Sequence, residues 1–193
     1  MTPLFRTGLA VLAVLGIGSV VVFSSAIAPD VTAALLSDKV TMVTRDNAGM
    51  TAAMRMGHET LPELLKLLEQ DVDVPLAASV KLRFEGNGET EFIWAQISGR
   101  TPTGWVATLQ SAPILIDGQV GKGSRVQVDP ARVVDWNFQS ERTSYRGDFT
   151  ECYLALQEKI PRFVALLEGH PEKCVWAEAY RKTHTPLAEQ IPR

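Results

Sequence analysis

Four carboxylates, Glu89, Glu91, Asp129 and Asp135, share one stretch of chain with Trp94, Trp105 and Trp136. Two carboxylates on either side of a scissile bond can perform acid–base hydrolysis, as they do in glycosidases. Glu91 with Asp135 is the pair a hydrolase would use here. The same residue types also serve without catalysis. An acid beside a large aromatic, as in Asp135-Trp136, can accept backbone or indole N–H bonds and tie a corner, or it can grip a ligand. Tryptophans left exposed form a platform for a peptide, glycan or partner protein; tryptophans turned inward form a core. The candidate binding residues are therefore Glu91, Trp94, Trp105, Asp135 and Trp136, and no residue is assigned as catalytic.

Other chemistry is poorly supported. Residues 118–124, GQVGKGS, superficially resemble a phosphate loop. A Walker loop needs Gly-Lys-Ser/Thr entering a helix, but Gly123 separates Lys122 from Ser124 and a strand pattern comes next. No serine or cysteine can be matched with a histidine and an acid. His58, His170 and His184 are scattered, and no His or Cys pair has metal-ligand spacing. Neither a metal nor a cofactor is expected. Arg146-Gly147-Asp148 reads as a turn before a helix, not as an adhesion motif.

The elements that must position these residues are set by periodicity. Asp46 and Asn47 are good helix caps. Met50, Ala53, Met54, Leu61, Leu64, Leu65 and Leu68 then recur at helical spacing, predicting an amphipathic helix of about six turns. Thr60-Leu61-Pro62-Glu63 reads as a capping box with proline in the first turn, so this helix kinks or restarts near Thr60. Val80, Leu82 and Phe84 alternate with Lys81, Arg83 and Glu85, as in a half-buried strand. Asn87-Gly88 marks a hairpin. Strands are predicted at residues 92–97, 105–109, 125–128 and 133–138, with 114–116 a possible resumption after the break at Pro113. A short edge strand is predicted at 40–43. Short strands with regular turns suggest a strongly bent antiparallel sheet or partial barrel. Residues 150–159 and 172–182 read as helices. Pro161 should end or kink the first, because its ring removes a donor and clashes one turn back. The fold class expected is α+β: an N-terminal amphipathic helix packed on the sheet, then C-terminal helices.

At 193 residues, with 46% hydrophobic and 21% charged content, the chain is one domain plus appendages. Residues 7–29 carry no charge, and Arg6 precedes them. A positive charge ahead of an apolar run directs the downstream chain across the membrane. The run suits an uncleaved anchor by length, or a cleaved signal peptide through the small residues Ser24, Ala26 and Ala28. Either reading places the rest outside the cytoplasm: anchored in the inner membrane, periplasmic or secreted. The division expected is 1–29 signal or anchor, 30–45 linker, 46–155 α+β domain and 156–193 helical extension. The net charge of −3 without a basic run excludes sequence-independent nucleic-acid binding. The function expected is a non-enzymatic binding module, with a paired-carboxylate hydrolase or an immunity-type inhibitor as alternatives; the partner expected is an envelope protein or small ligand, with membrane contact through the N-terminal segment if it is retained.

The two cysteines pose a geometric question. In an oxidising space Cys152 and Cys174 can form a disulfide. A straight helix from 150 to 167 would carry Cys152 about 25 Å from the turn at its end, beyond the roughly 7 Å Cα limit. A bond therefore requires a sharp bend at Pro161 or a different return path; otherwise both are buried thiols.

Residues 45–155 also resemble the YegJ-like family of bacterial domains of unknown function. The resemblance rests on Asp46-Asn47, Met50, Ala53 and Thr60-Leu61-Pro62. It continues with Glu91-x-x-Trp94, Gly104, Pro113, the segment 121–128, Val134-Asp135-Trp136 and Gly147-Asp148-Phe149-Thr150. The chain departs from the pattern at Gly123-Ser124, where Gly-Asp is expected, and at Ala112, where Asn is expected before the proline. The resemblance implies a shared α+β fold, frequent export, and no established activity.

Overall fold

A computed structural model describes residues 20–23, 40–42, 47–70, 76–116 and 120–184. Its elements are β1 (Val20–Phe23), β2 (Val40–Met42), α1 (Ala48–Glu59), α2 (Leu61–Gln70), β3 (Leu76–Gly86), β4 (Glu89–Thr101), β5 (Gly104–Leu109), β6 (Arg125–Gln127), β7 (Val133–Ser140), β8 (Arg146–Gly147), α3 (Phe149–Leu156), α4 (Pro161–Gly169) and α5 (Val175–His184). The protein is α+β, with an open, mostly antiparallel sheet.

The sheet runs β2-β1-β4-β3-β7-β8. The β3–β4 hairpin closes at Asn87 and Gly88, both at positive φ (54° and 77°), as a two-residue primed turn requires. β4 is long enough to pair with three strands. β3 lies along one edge; β1 (at residues 90–93) and β5 (at residues 95–101) share the other. β6 extends the sheet from β5, and a 3-10 turn at Pro130–Arg132 corners the chain into β7.

Helices cover both faces. On one, Leu61, Leu64 and Leu68 of α2 meet Val80, Leu82, Ile93, Ala95, Trp136 and Phe138. On the other, Met50 of α1 joins Phe92, Leu154 and Phe163. The predicted long helix is two helices. Thr60 breaks it: its Oγ1 donates back to the Met56 carbonyl (2.8 Å), and Pro62 lies in the first turn of α2.

The C-terminal helices are not a separate appendage. α3 stops before Lys159, which sits at φ 52°, and α4 begins at Pro161. That reversal returns the chain so that Cys152 and Cys174 are bonded, with Cα atoms 5.6 Å apart. The bond closes a loop with a sequence separation of 22, an effect of about 3 kcal/mol in the chain-entropy account. Cys174 and Ala177 are buried against Ala53, Met56 and Phe149.

One expectation needs correction. Residues 114–116 do not resume a strand; they form bends held by a buried carboxylate. Of the apolar N-terminal segment, only Val20–Phe23 are described, and they form a strand on β4. The rest of that segment, the linker outside β2 and the tail beyond His184 lie outside the described residues. No helix among the described residues is long and apolar enough to cross a membrane.

Candidate functional site

Strand register decides which candidate residues meet. Lys81 on β3 lies opposite Trp94 on β4 and opposite Asp135 on β7. Side chains alternate between faces along a strand, so Trp94, Lys81 and Asp135 form one row across three adjacent strands. Glu91 pairs with Phe84, and Val80 pairs with both Ala95 and Trp136. These residues belong to the opposite face, so Glu91 and Asp135 do not converge and cannot flank one substrate bond. That geometry removes the paired-carboxylate hydrolase.

Asp135 is fully buried and all of its work is internal. Its carboxylate accepts from the amides of Trp136 (2.8 Å), Phe149 (3.2 Å) and Thr150 (2.8 Å), and from the Thr150 hydroxyl (2.6 Å). The first amides of a helix lack intrahelical partners. Those of α3 are capped by Asp135 from another element, since the local cap residue Asp148 makes no capping bond. Lys81, also fully buried, donates to Thr150 Oγ1 at 2.7 Å and lies 4.7 Å from the Trp94 ring centroid. Thr150 thus relays between ammonium and carboxylate. Burial pushes the Asp135 carboxyl above its ordinary range, against the opposing pull of Lys81 and the donated bonds.

A second acid sits beside this row. Asp148 is buried at φ 66°, and Tyr145 donates to its Oδ2 at 2.7 Å. Its Oδ1 has no partner among the described residues. Burial, then the charges of Glu151 and Asp135, raise its carboxyl well above the usual range, while Tyr145 and Lys173 pull the other way. The Arg-Gly-Asp sequence is therefore no exposed loop: Arg146-Gly147 pairs with β7, Arg146 meets Glu63, and Asp148 is interior.

The other candidates divide cleanly. Trp94 is buried and donates from Nε1 to Glu151 at 2.7 Å. Trp136 is fully buried and donates from Nε1 to Thr60 Oγ1 at 2.9 Å, pinning the break between α1 and α2. Glu91 is fully buried; its carboxylate accepts from the consecutive amides of Ile114, Leu115 and Ile116 at 2.7–3.1 Å. Trp105 alone reaches the surface. The Arg100 guanidinium lies 5.4 Å from its ring centroid. With Leu61, Leu65, Leu68, Pro102 and Pro130, Trp105 lines a groove of about 260 Å³ between α2 and the β4–β5 turn.

The three tryptophans do not cluster. The aromatic cluster is Trp136, Trp176, Phe149 and Tyr180, with successive centroids 5.4–5.7 Å apart. His58 donates from Nδ1 to the Val133 carbonyl at 2.9 Å. No group of three or more His, Cys, Asp or Glu among the described residues is placed to hold a metal. Sequence reasoning missed Lys81 and Glu151; it marked Thr60 only as a helix cap, and Asp148 and Thr150 only through the family resemblance. The alternation around Lys81 suggested a solvent face; its signal lay in the cross-strand pairing with Asp135, which one strand's pattern does not carry.

No family model, no curated protein and no solved structure matches the chain.

Proposed function

We propose that the protein is an exported, non-enzymatic binding module of the bacterial envelope, of YegJ-like type, whose recognition surface is the Trp105 groove. The observation that carries this is the division among the five candidates. Glu91, Trp94, Asp135 and Trp136 engage their polar atoms inside the domain, leaving Trp105 half-buried at the groove, with one side packed on the core, and Arg100 exposed beside it. Tryptophan and arginine are the side chains that most often anchor interfaces. The residues bearing the family resemblance, Glu91, Trp94, Asp135, Trp136, Gly147 and Thr150, are the internal ties, which supports a family defined by its scaffold. The register irregularities in β3–β7 and β4–β5 support a strongly bent sheet that lays β5 toward α2. Export is supported by the Cys152–Cys174 bond, which persists in oxidising compartments.

The groove suits an extended peptide segment of an envelope protein, with an apolar side chain against Trp105 and Leu68 and an acidic neighbour on Arg100. Arg100 meets Glu69 only at 3.5 Å, with both side chains more than half exposed, so that pairing is weak and easily exchanged. Selecting a random peptide library against the wild-type protein and against Trp105→Ala tests this. Wild type should enrich apolar peptides with an acidic residue, and the variant should not bind them. Selected peptides that bind both proteins equally would refute the assignment.

A further inference from the structure

A second cavity, of about 500 Å³, lies at the far end of the β3–β4 hairpin from the Trp105 groove. Its apolar lining includes Phe84, Ile116, Val120 and Val126, and its charged lining is Arg83, Glu85 and Arg132. Both walls are fixed from within. On one side, the three amide bonds to buried Glu91 hold residues 114–116, which set Ile116 in place. Gly86 lets that wall approach: a Cβ there would come within 2.6 Å of Ile116 Cγ2. On the other side, Arg132 is held at two points. Its Nε donates to the Arg83 carbonyl at 2.9 Å, and its guanidinium lies 4.4 Å from the Phe84 ring centroid.

The two guanidiniums differ. Arg83 is paired with Glu85 at 3.3 Å on an exposed surface. Arg132 makes no ion pair among the described residues, and its two Nη groups have no acceptor there. A flat guanidinium fixed by stacking and by its Nε leaves its Nη donors for a carboxylate, at little ordering cost. The cavity falls within the usual size range for small-ligand sites, which combine apolar walls with a few placed polar groups.

We propose that this cavity binds a small organic anion: a carboxylate on the Arg132 Nη groups with an apolar body against Ile116, Val120 and Val126. Glu91 is then a positioning residue, acting through the wall it holds.

Octanoate is the probe, titrated into the isotopically labelled full chain and followed by amide chemical shifts, with 1-octanol as the uncharged equivalent. Octanoate should shift Gly86, Ile116, Val126 and Arg132 saturably. Octanol should bind at least about tenfold more weakly, and Arg132→Gln should weaken octanoate by a similar factor, the ordinary effect of losing a charge-assisted bond. The octanol comparison needs no variant, so it stands whether or not Arg132→Gln folds. No saturable shift with octanoate, equal binding of octanol, or wild-type affinity in folded Arg132→Gln would each overturn the proposal.

Discussion

Asp135 shows why a buried charge here is a structural component. Three amides, one hydroxyl and the nearby Lys81 ammonium compensate it. Removing one partner of such a set leaves the other charge uncompensated in the interior, which costs about 3–5 kcal/mol. Asp135→Asn should therefore lose about that much stability in denaturant unfolding, and its Phe149 and Thr150 amides should exchange faster with solvent. Asp148 makes the opposite case. Its carboxyl is raised well above the ordinary range by burial and by Glu151 and Asp135. Between the ordinary value and the raised one, the folded chain holds a proton that the unfolded chain releases. Stability therefore falls as pH rises through that window, and is fully present below it. Asp148→Asn keeps an acceptor for Tyr145 and carries no charge. It should melt at or above the wild-type temperature near neutral pH and show a shallower pH dependence across the acid range.

At the scale of elements, two glycines allow close backbone approach, one between a helix and the sheet and one between neighbouring strands. A Cβ at Gly57 would lie 2.5 Å from the Val134 carbonyl oxygen, so α1 rests directly on β7. Gly147 sits at φ 84°, and a Cβ there would lie 2.0 Å from the Trp136 carbonyl oxygen. Gly147→Ala should cost about 3 kcal/mol by adding overpacking to a left-handed backbone. Gly121→Ala, with nothing within 4 Å and no positive φ, should be close to neutral; paired thermal melts compare the two. Much at this scale was legible locally. Asn87-Gly88 gave the hairpin, Thr60 and Pro62 the helix break, and Pro161 the reversal that the cysteine bond needs. What escaped was decided by distant chain. The strand β8 exists because Arg146-Gly147 meets Asn137 and Phe138. Residues 114–116 are irregular because Glu91, more than 20 positions away, takes their amides.

Across the whole molecule, helices cover both faces of the middle of the sheet, and that explains the candidate site. A central strand covered on both faces has no solvent side, so Lys81 is interior despite an alternating pattern that reads as half-exposed. Glu91, Trp94, Asp135 and Trp136 were visible in the sequence as residues that matter. Their types did not reveal whether they face a ligand or one another, because that depends on the register of β3, β4 and β7. The register makes them the joints of the domain and leaves Trp105 at a groove. Equilibrium urea unfolding of Trp136→Ala beside Trp105→Ala separates these roles. Trp136→Ala should lose about 3–5 kcal/mol, as a fully buried aromatic does, while Trp105→Ala should lose about 1 kcal/mol. Losses of equal size, or a Trp136→Ala protein as stable as wild type, would contradict the division between joint and groove.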